Sequence, residues 1–167
     1  ERWRALRMNL SYLQNHYEVD EIELGYQFTT KAGVTYFLTF FSYPAVSDFL
    51  ETKIYMFNIE RSHHPAKGQD DEMVRNTVLY VLDIFFRLHE DALITICDVA
   101  DGRQYARKRL FDAWFNHFNS GRLKRIDADC MVDDIPTSVS LYFSSSHYSR
   151  HQLEEEFREL VKIKFYC

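Results

Sequence analysis

The run Ala92 to Phe118, ALITICDVADGRQYARKRLFDAWFNHF, gathers the side chains whose types and spacing bear most directly on chemistry. Asp98 closes a short apolar stretch. Asp101 stands where a helix would begin, and Asp-x-x-Gln to Gln104 resembles a capping box with Asp as the cap. Arg103 and Arg107 follow, one helical turn apart. At about 100° per residue, both arginines fall inside the arc of Ala106, Leu110, Phe111, Ala113, Trp114, Phe115 and Phe118. An unpaired guanidinium in a core is very costly. The two heads must therefore pass the end of a sheet or meet carboxylates.

Two readings follow from that placement. The first is an ion-pair cluster that fastens the strand-helix turn. The second is an anion or ligand site at a strand's carboxyl end and a helix's amino end, where free N–H groups point outward and arginine can grip a carboxylate or phosphate in bidentate fashion. The candidate ligand-binding residues are Asp98, Asp101, Arg103, Gln104 and Arg107. At least one of the two arginines is expected to touch an acid, Asp98 or Asp101 first and Asp71 next. Arg75 lies near the apolar arc of its own helix and is a candidate member of the same cluster.

Other chemistry is thinner. Cys97 beside Asp98 reads as a buried structural thiol, because no histidine is spaced to activate it. His63 and His64 lie in a loop. His147 and His151 are four apart, but Ser149 between them reads as a helix cap, and no third zinc ligand follows in a recognisable pattern. Asp98, Asp101, Asp127 and Asp129 could gather around magnesium, yet alternation on a strand explains the last two without it. No Gly-rich phosphate loop, Gly-x-Ser-x-Gly or His-Glu-x-x-His occurs. Lys108, Arg109, Arg122, Lys124 and Arg125 form a weaker candidate patch for nucleic acid, diluted by Asp112, Asp127 and Asp129. No metal and no cofactor is expected.

Composition frames these residues. The chain has 167 residues and a formal net charge of −5, so a basic footprint over the whole domain is absent. Three cysteines, Cys97, Cys130 and Cys167, argue against a disulfide framework and for a reducing, cytoplasmic setting. No apolar run approaches the roughly 20 residues that span a bilayer. The chain starts at Glu1, which leaves open whether residues 1–7 are native, with Met8 a candidate initiator.

The elements that must position the acids and arginines are legible from their patterns. Leu24 to Thr30 and Val34 to Tyr43 read as strands joined by a turn at Lys31-Ala32-Gly33. Thr52 to Glu60 reads as a third strand. Asp70 to Glu90 is a helix with an acidic first turn, and its apolar face is Val74, Val78, Val81, Leu82, Phe85 and Leu88. Leu93 to Cys97 is a short central strand, and Asp101 to Phe118 the second helix. Lys124 to Val132 alternates, with Ile126, Ala128, Cys130 and Val132 facing one way. Val139, Leu141 and Phe143 alternate in the next strand. A last helix follows, with Leu153, Phe157, Leu160 and Val161 as its stripe. The order β-β-β-α-β-α-β-β-α predicts an α+β fold, a mostly antiparallel sheet of about six strands with helices packed on it. Residues 1–23 read as an N-terminal extension, and residues 24–167 as one domain.

The run Ile96-Cys97-Asp98, Asp101-Gly102-Arg103-Gln104, Arg107, Arg109-Leu110-Phe111 and Trp114-Phe115 resembles a family of short bacterial proteins, seen mainly in Bacteroidetes, that carry a domain of unknown function. TVLYVLDIFFRLHEDAL is similar to that family's helix, and YQFTTKAGVTYFLTF to its opening hairpin. The resemblance covers about Tyr26 to Phe143 and is strongest from Thr77 to Phe115. It marks the CDxxDGRQxxRxRLFxxWF run as the family's most recognisable part and assigns no catalytic role. The sequence is thus expected to encode a binding or accessory module with a protein partner, without catalysis. An enzyme or anion-ligand site at the Asp98–Arg107 turn is the alternative.

Overall fold

The computed structural model describes residues 15–63, 72–97, 104–118, 121–165 and 167, with the backbone alone at 104–107, 117 and 118. Seven strands and three helices follow in order: β1 (Asp20–Ile22), β2 (Gly25–Thr29), β3 (Thr35–Tyr43), β4 (Ile54–Arg61), α1 (Glu72–Leu88), β5 (Ala92–Cys97), α2 (Gln104–Phe118), β6 (Leu123–Val132), β7 (Ile135–Ser144) and α3 (Arg150–Phe165). The strand order is β1-β2-β3-β4-β5-β7-β6. Pairing is antiparallel for β1–β2, β2–β3, β5–β7 and β6–β7, and parallel for β4–β5. The architecture is the expected α+β one with a strand more than expected. The addition is β1, three residues of Asp-Glu-Ile that carry no apolar alternation to betray them.

The chain divides into two compact units, one of residues 1–40 and 58–89, the other of 41–57 and 90–167. In the first, the expected turn is present: Gly33 adopts φ 81° and its N–H donates to the Thr30 carbonyl at 3.0 Å. Gly25 is fixed by proximity, since a Cβ there would lie 1.9 Å from the Leu38 carbonyl oxygen. Phe28, Tyr36 and Leu38 are buried, with the rings of Phe28 and Tyr36 stacked at 5.1 Å. The buried face of α1 is broader than the predicted stripe and includes Asn76, Thr77, Leu79 and Asp83. Leu88, placed on that stripe, is 71% exposed because the helix ends there. Arg75 pairs with Glu72 one turn back, and both are exposed.

In the second unit, the inward residues of β5 and β7 sort cleanly onto two faces. Ala92, Ile94, Val139, Leu141 and Phe143 meet Leu153, Phe157, Leu160 and Val161 of α3 in one apolar cluster. The stripe of α3 is therefore the predicted one, and each of these four side chains is buried. Val132 and Ile135 are joined by Asp133 and Asp134, whose φ angles are 50° and 63°. Two residues in the left-handed region make the tight turn that matches strand twist, and aspartate tolerates it better than most residues.

The expectation of unpaired thiols is corrected here. Cys130 and Cys167 form a disulfide with Cα atoms 5.1 Å apart. Alternation puts Cys130 on the α3 side of β6, and the chain end turns back there, with the Cys167 N–H donating to the Val161 carbonyl. The two sulfurs, 37 residues apart in sequence, are brought together by α3. Cys97 is buried, as expected.

Candidate functional site

The face of the second unit's sheet opposite α3 is polar, and its layout follows from strand register. Leu93, Thr95 and Cys97 of β5 stand opposite Tyr142, Ser140 and Ser138 of β7. Those in turn stand opposite Arg125, Asp127 and Asp129 of β6. Because opposed residues share a face, the sheet carries three rows: Cys97-Ser138-Asp129, Thr95-Ser140-Asp127 and Leu93-Tyr142-Arg125. The rows run to the carboxyl end of β5, after which residues 98–103 lie outside the described residues.

Each row is tied across the strands. The Ser138 hydroxyl donates to Asp129 at 2.7 Å, and the Ser140 hydroxyl to Asp127 at 2.5 Å. Arg125 donates from Nε to Asp127 at 2.7 Å and from a terminal nitrogen to Asp112 of α2 at 2.5 Å. Its guanidinium lies 5.7 Å from the Phe115 ring centre and 5.6 Å from that of Tyr142, so two aromatic rings flank it. Burial works against that charge, but Tyr142, Asp127 and Asp112 outweigh it and hold the guanidinium above its ordinary pKa. Burial also pushes the Tyr142 phenol far above the usual tyrosine range, with Arg125 opposing in part. Trp114, fully buried, packs edge-on against Tyr142 at 5.2 Å.

The sequence-predicted residues distribute unevenly over this face. Asp98, Asp101 and Arg103, like Asp71, lie outside the described residues. Gln104 and Arg107 sit in the first turn of α2, and their side chains lie outside the described residues. Of the candidate basic patch, Lys108 is half-buried, while Arg109 and Arg122 are exposed. Lys124 and Arg125, adjacent in β6, point to opposite faces: Lys124 pairs with Glu154 of α3, Arg125 with Asp112 and Asp127. His147 accepts the Ser149 N–H at Nδ1 and donates from Nε2 to the Glu90 carbonyl at 2.7 Å, so one ring nitrogen serves the start of α3 and the other ties it to the segment before β5. Among the described residues, no three His, Cys, Asp or Glu side chains are grouped to hold a metal ion.

Two features escaped the sequence reading. Asp83 of α1 is fully buried and paired at 2.9 Å with Arg87, one turn on. Glu156 of α3 is also buried, and its carboxylate accepts the N–H groups of Ser47 at 2.7 Å and Val46 at 3.0 Å. The Phe49 N–H donates to the Ser47 hydroxyl at 3.2 Å, while Val46 and Leu50 pack on the apolar cluster. The loop between β3 and β4 is thus held by a buried carboxylate, with Phe49 left 92% exposed at its tip. Glu156, the third glutamate of EEEF, gave no signal that it differs from its neighbours. The alternating serines of TSVSLYFS did carry one, since small polar residues there oppose an apolar face.

A Ser–Asp pair without a histidine or lysine base does not make an activated nucleophile. The rows can accept and donate hydrogen bonds to a ligand, and they tie α2 to β6. Over residues 70–159, more than half of its length, the chain matches a family of unknown function, DUF6169, and it belongs to that family. No curated protein and no solved structure matches the chain. Among the described residues, no helix is long and apolar enough to cross a membrane.

Proposed function

We propose that the chain is a binding or accessory module that engages a protein partner and performs no turnover of its own. Phe49 carries the reading: a phenylalanine 92% exposed on a loop pinned by the buried Glu156 carboxylate. A large aromatic displayed on a pre-ordered backbone loses little conformational freedom on binding, and such residues anchor interfaces. Capture of a specific partner by the purified chain, weakened about thirtyfold or more by Phe49→Ala, is the expected result. Equal capture by native and Phe49→Ala chains removes Phe49 as the anchor. Turnover abolished by Asp98→Ala, with the fold intact, removes the reading itself.

A second reading places an anionic ligand at the Asp98–Arg107 turn, with Arg103 and Arg107 as clamps and Asp98 as base or ligand. It is favoured by the polar rows, which lead to that turn through Cys97, Ser138 and Asp129. Saturable binding of inorganic phosphate or a small carboxylate, lost in Arg107→Met, supports it. Binding unchanged in that variant discards it.

A further inference from the structure

β6 ends the strand order, and among the described residues no strand pairs with its outer side. It is ten residues long, whereas the strand at the opposite end of the order has three. A long open edge is a template for another strand unless it is blunted.

The hairpin fixes which backbone groups point outward. In a two-residue hairpin, the pair flanking the turn exchanges both hydrogen bonds, and pairs alternate from there. Val132 and Ile135 flank the turn, so Val132, Cys130, Ala128, Ile126 and Lys124 bond inward to β7. Arg125, Asp127, Asp129 and Met131 then present their N–H and C=O groups to the outer side.

We infer that this edge pairs antiparallel with β6 of a second copy of the chain, in the register that sets Ile126 against its own symmetry mate. In a continuous two-fold sheet, opposed residues must share a face, so the axis passes through a residue rather than between two. Centring on Arg125, Asp127 or Asp129 opposes that charge to itself, and centring on Ala128 opposes Asp127 to Asp129. Like charges directly opposite destabilise a pair. Centring on Ile126 opposes Arg125 to Asp127 twice, Lys124 to Ala128, and a β-branched residue to itself. That register carries no like-charge pair between Leu123 and Asp129. The charges that would blunt the edge against a foreign strand are complementary to those of a second copy. The surface is distinct from the Phe49 loop, and a symmetric dimer is the commonest closed assembly.

Sedimentation and light scattering of the full chain over a concentration series should show a monomer–dimer equilibrium. Asp129→Pro removes one outward N–H per copy and leaves the backbone bonds to β7 in place, losing only the Ser138 hydroxyl's bond to the carboxylate, and should weaken the dimer about tenfold or more. Ile126→Cys, oxidised, should cross-link to itself, because non-hydrogen-bonded partners stand about 4.5 Å apart between Cα atoms, within disulfide reach. Asp129→Cys, whose partner is Leu123, should not. A chain that stays monomeric throughout overturns the inference. So does a folded Asp129→Pro that dimerises like the native chain, or cross-linking of Asp129→Cys in preference to Ile126→Cys. Should Asp129→Pro fail to fold, the two cysteine variants decide. Phe49→Ala should dimerise normally, which separates this test from the partner-capture one.

Discussion

The two faces of the β5-β7-β6 sheet are built from the same strands and solve different problems. The face under α3 is hydrocarbon: Ile94, Val139, Leu141 and Phe143 against Leu153, Phe157 and Leu160. The face toward α2 puts Thr95, Ser138, Ser140, Tyr142 and Arg125 at the alternate positions. On the first face, stability comes from area removed from water and lost cavities. On the second, Ser138, Ser140 and Arg125 are tied to acids, and those acids, Asp112, Asp127 and Asp129, keep access to water. Substitutions should therefore be severe on one face and mild on the other.

The largest effect is expected from the apolar face. Leu160→Ala should cost about 2–5 kcal/mol in denaturant unfolding, because Leu160 is buried amid side chains that cannot collapse into the space. Ser140→Ala on the polar face removes one hydrogen bond to a half-exposed acid and should cost under about 1 kcal/mol. Equal losses at both positions would erase the distinction between the faces.

Next comes the buried carboxylate on the α3 side. Glu156→Ala leaves the N–H groups of Val46 and Ser47 without their carboxylate and should cost about 2–3 kcal/mol. Faster amide exchange at those two residues, ahead of any global loss, would show that the loop is what the carboxylate holds. Unchanged exchange there would mean that packing of Val46 and Leu50 suffices.

Arg125→Met tests the polar face at its most buried charge. The methionine keeps apolar contact with Phe115 and Tyr142 while Asp112 and Asp127 lose their partner. Both acids are at least 40% exposed, so water replaces the guanidinium, and the cost should be near 1 kcal/mol. A loss of several kcal/mol would mean that the acids depend on Arg125 as buried charges do.

The difference between the faces also explains what the sequence disclosed. Period-2 and helical patterns of large apolar residues announced β7 and α3, including Leu153, Phe157, Leu160 and Val161, because hydrophobic burial is written in residue type. Polar burial is not. Glu156 is chemically identical to its exposed neighbour Glu155, and Asp83 to any surface aspartate; both differ only in what the fold brings to them. β1 was hidden for a related reason: its residues Asp20 and Glu21 are exposed and show no periodicity. The polar rows were half legible. The alternation of β6 was read correctly, but which strands stood beside it, and hence that Asp127 meets Ser140 and Asp129 meets Ser138, is a matter of strand order. The pairing of Cys130 with Cys167 likewise depends on where α3 ends, not on cysteine count.

The subtlest test separates burial from hydrogen bonding within the polar face. Tyr142 is fully buried, and its hydroxyl meets no hydrogen-bond partner among the described residues. Tyr142→Phe keeps the ring against Trp114 and Arg125 and removes a desolvated hydroxyl. At neutral pH it should change stability by less than about 1 kcal/mol in either direction. The two chains diverge in alkali. Burial raises the phenol's folded-state pKa above its unfolded value of about 10. The unfolded chain therefore loses its proton first. The native protein's stability is unaffected by this group below about pH 10 and falls as pH rises past it, by up to about 1.4 kcal/mol per unit until the folded value is reached. Tyr142→Phe lacks that loss. Its stability relative to the native chain should be flat from neutrality to about pH 10 and rise beyond it. A relative stability that stays flat through strong alkali would show that the Tyr142 hydroxyl is as free to ionise in the folded protein as in the unfolded one.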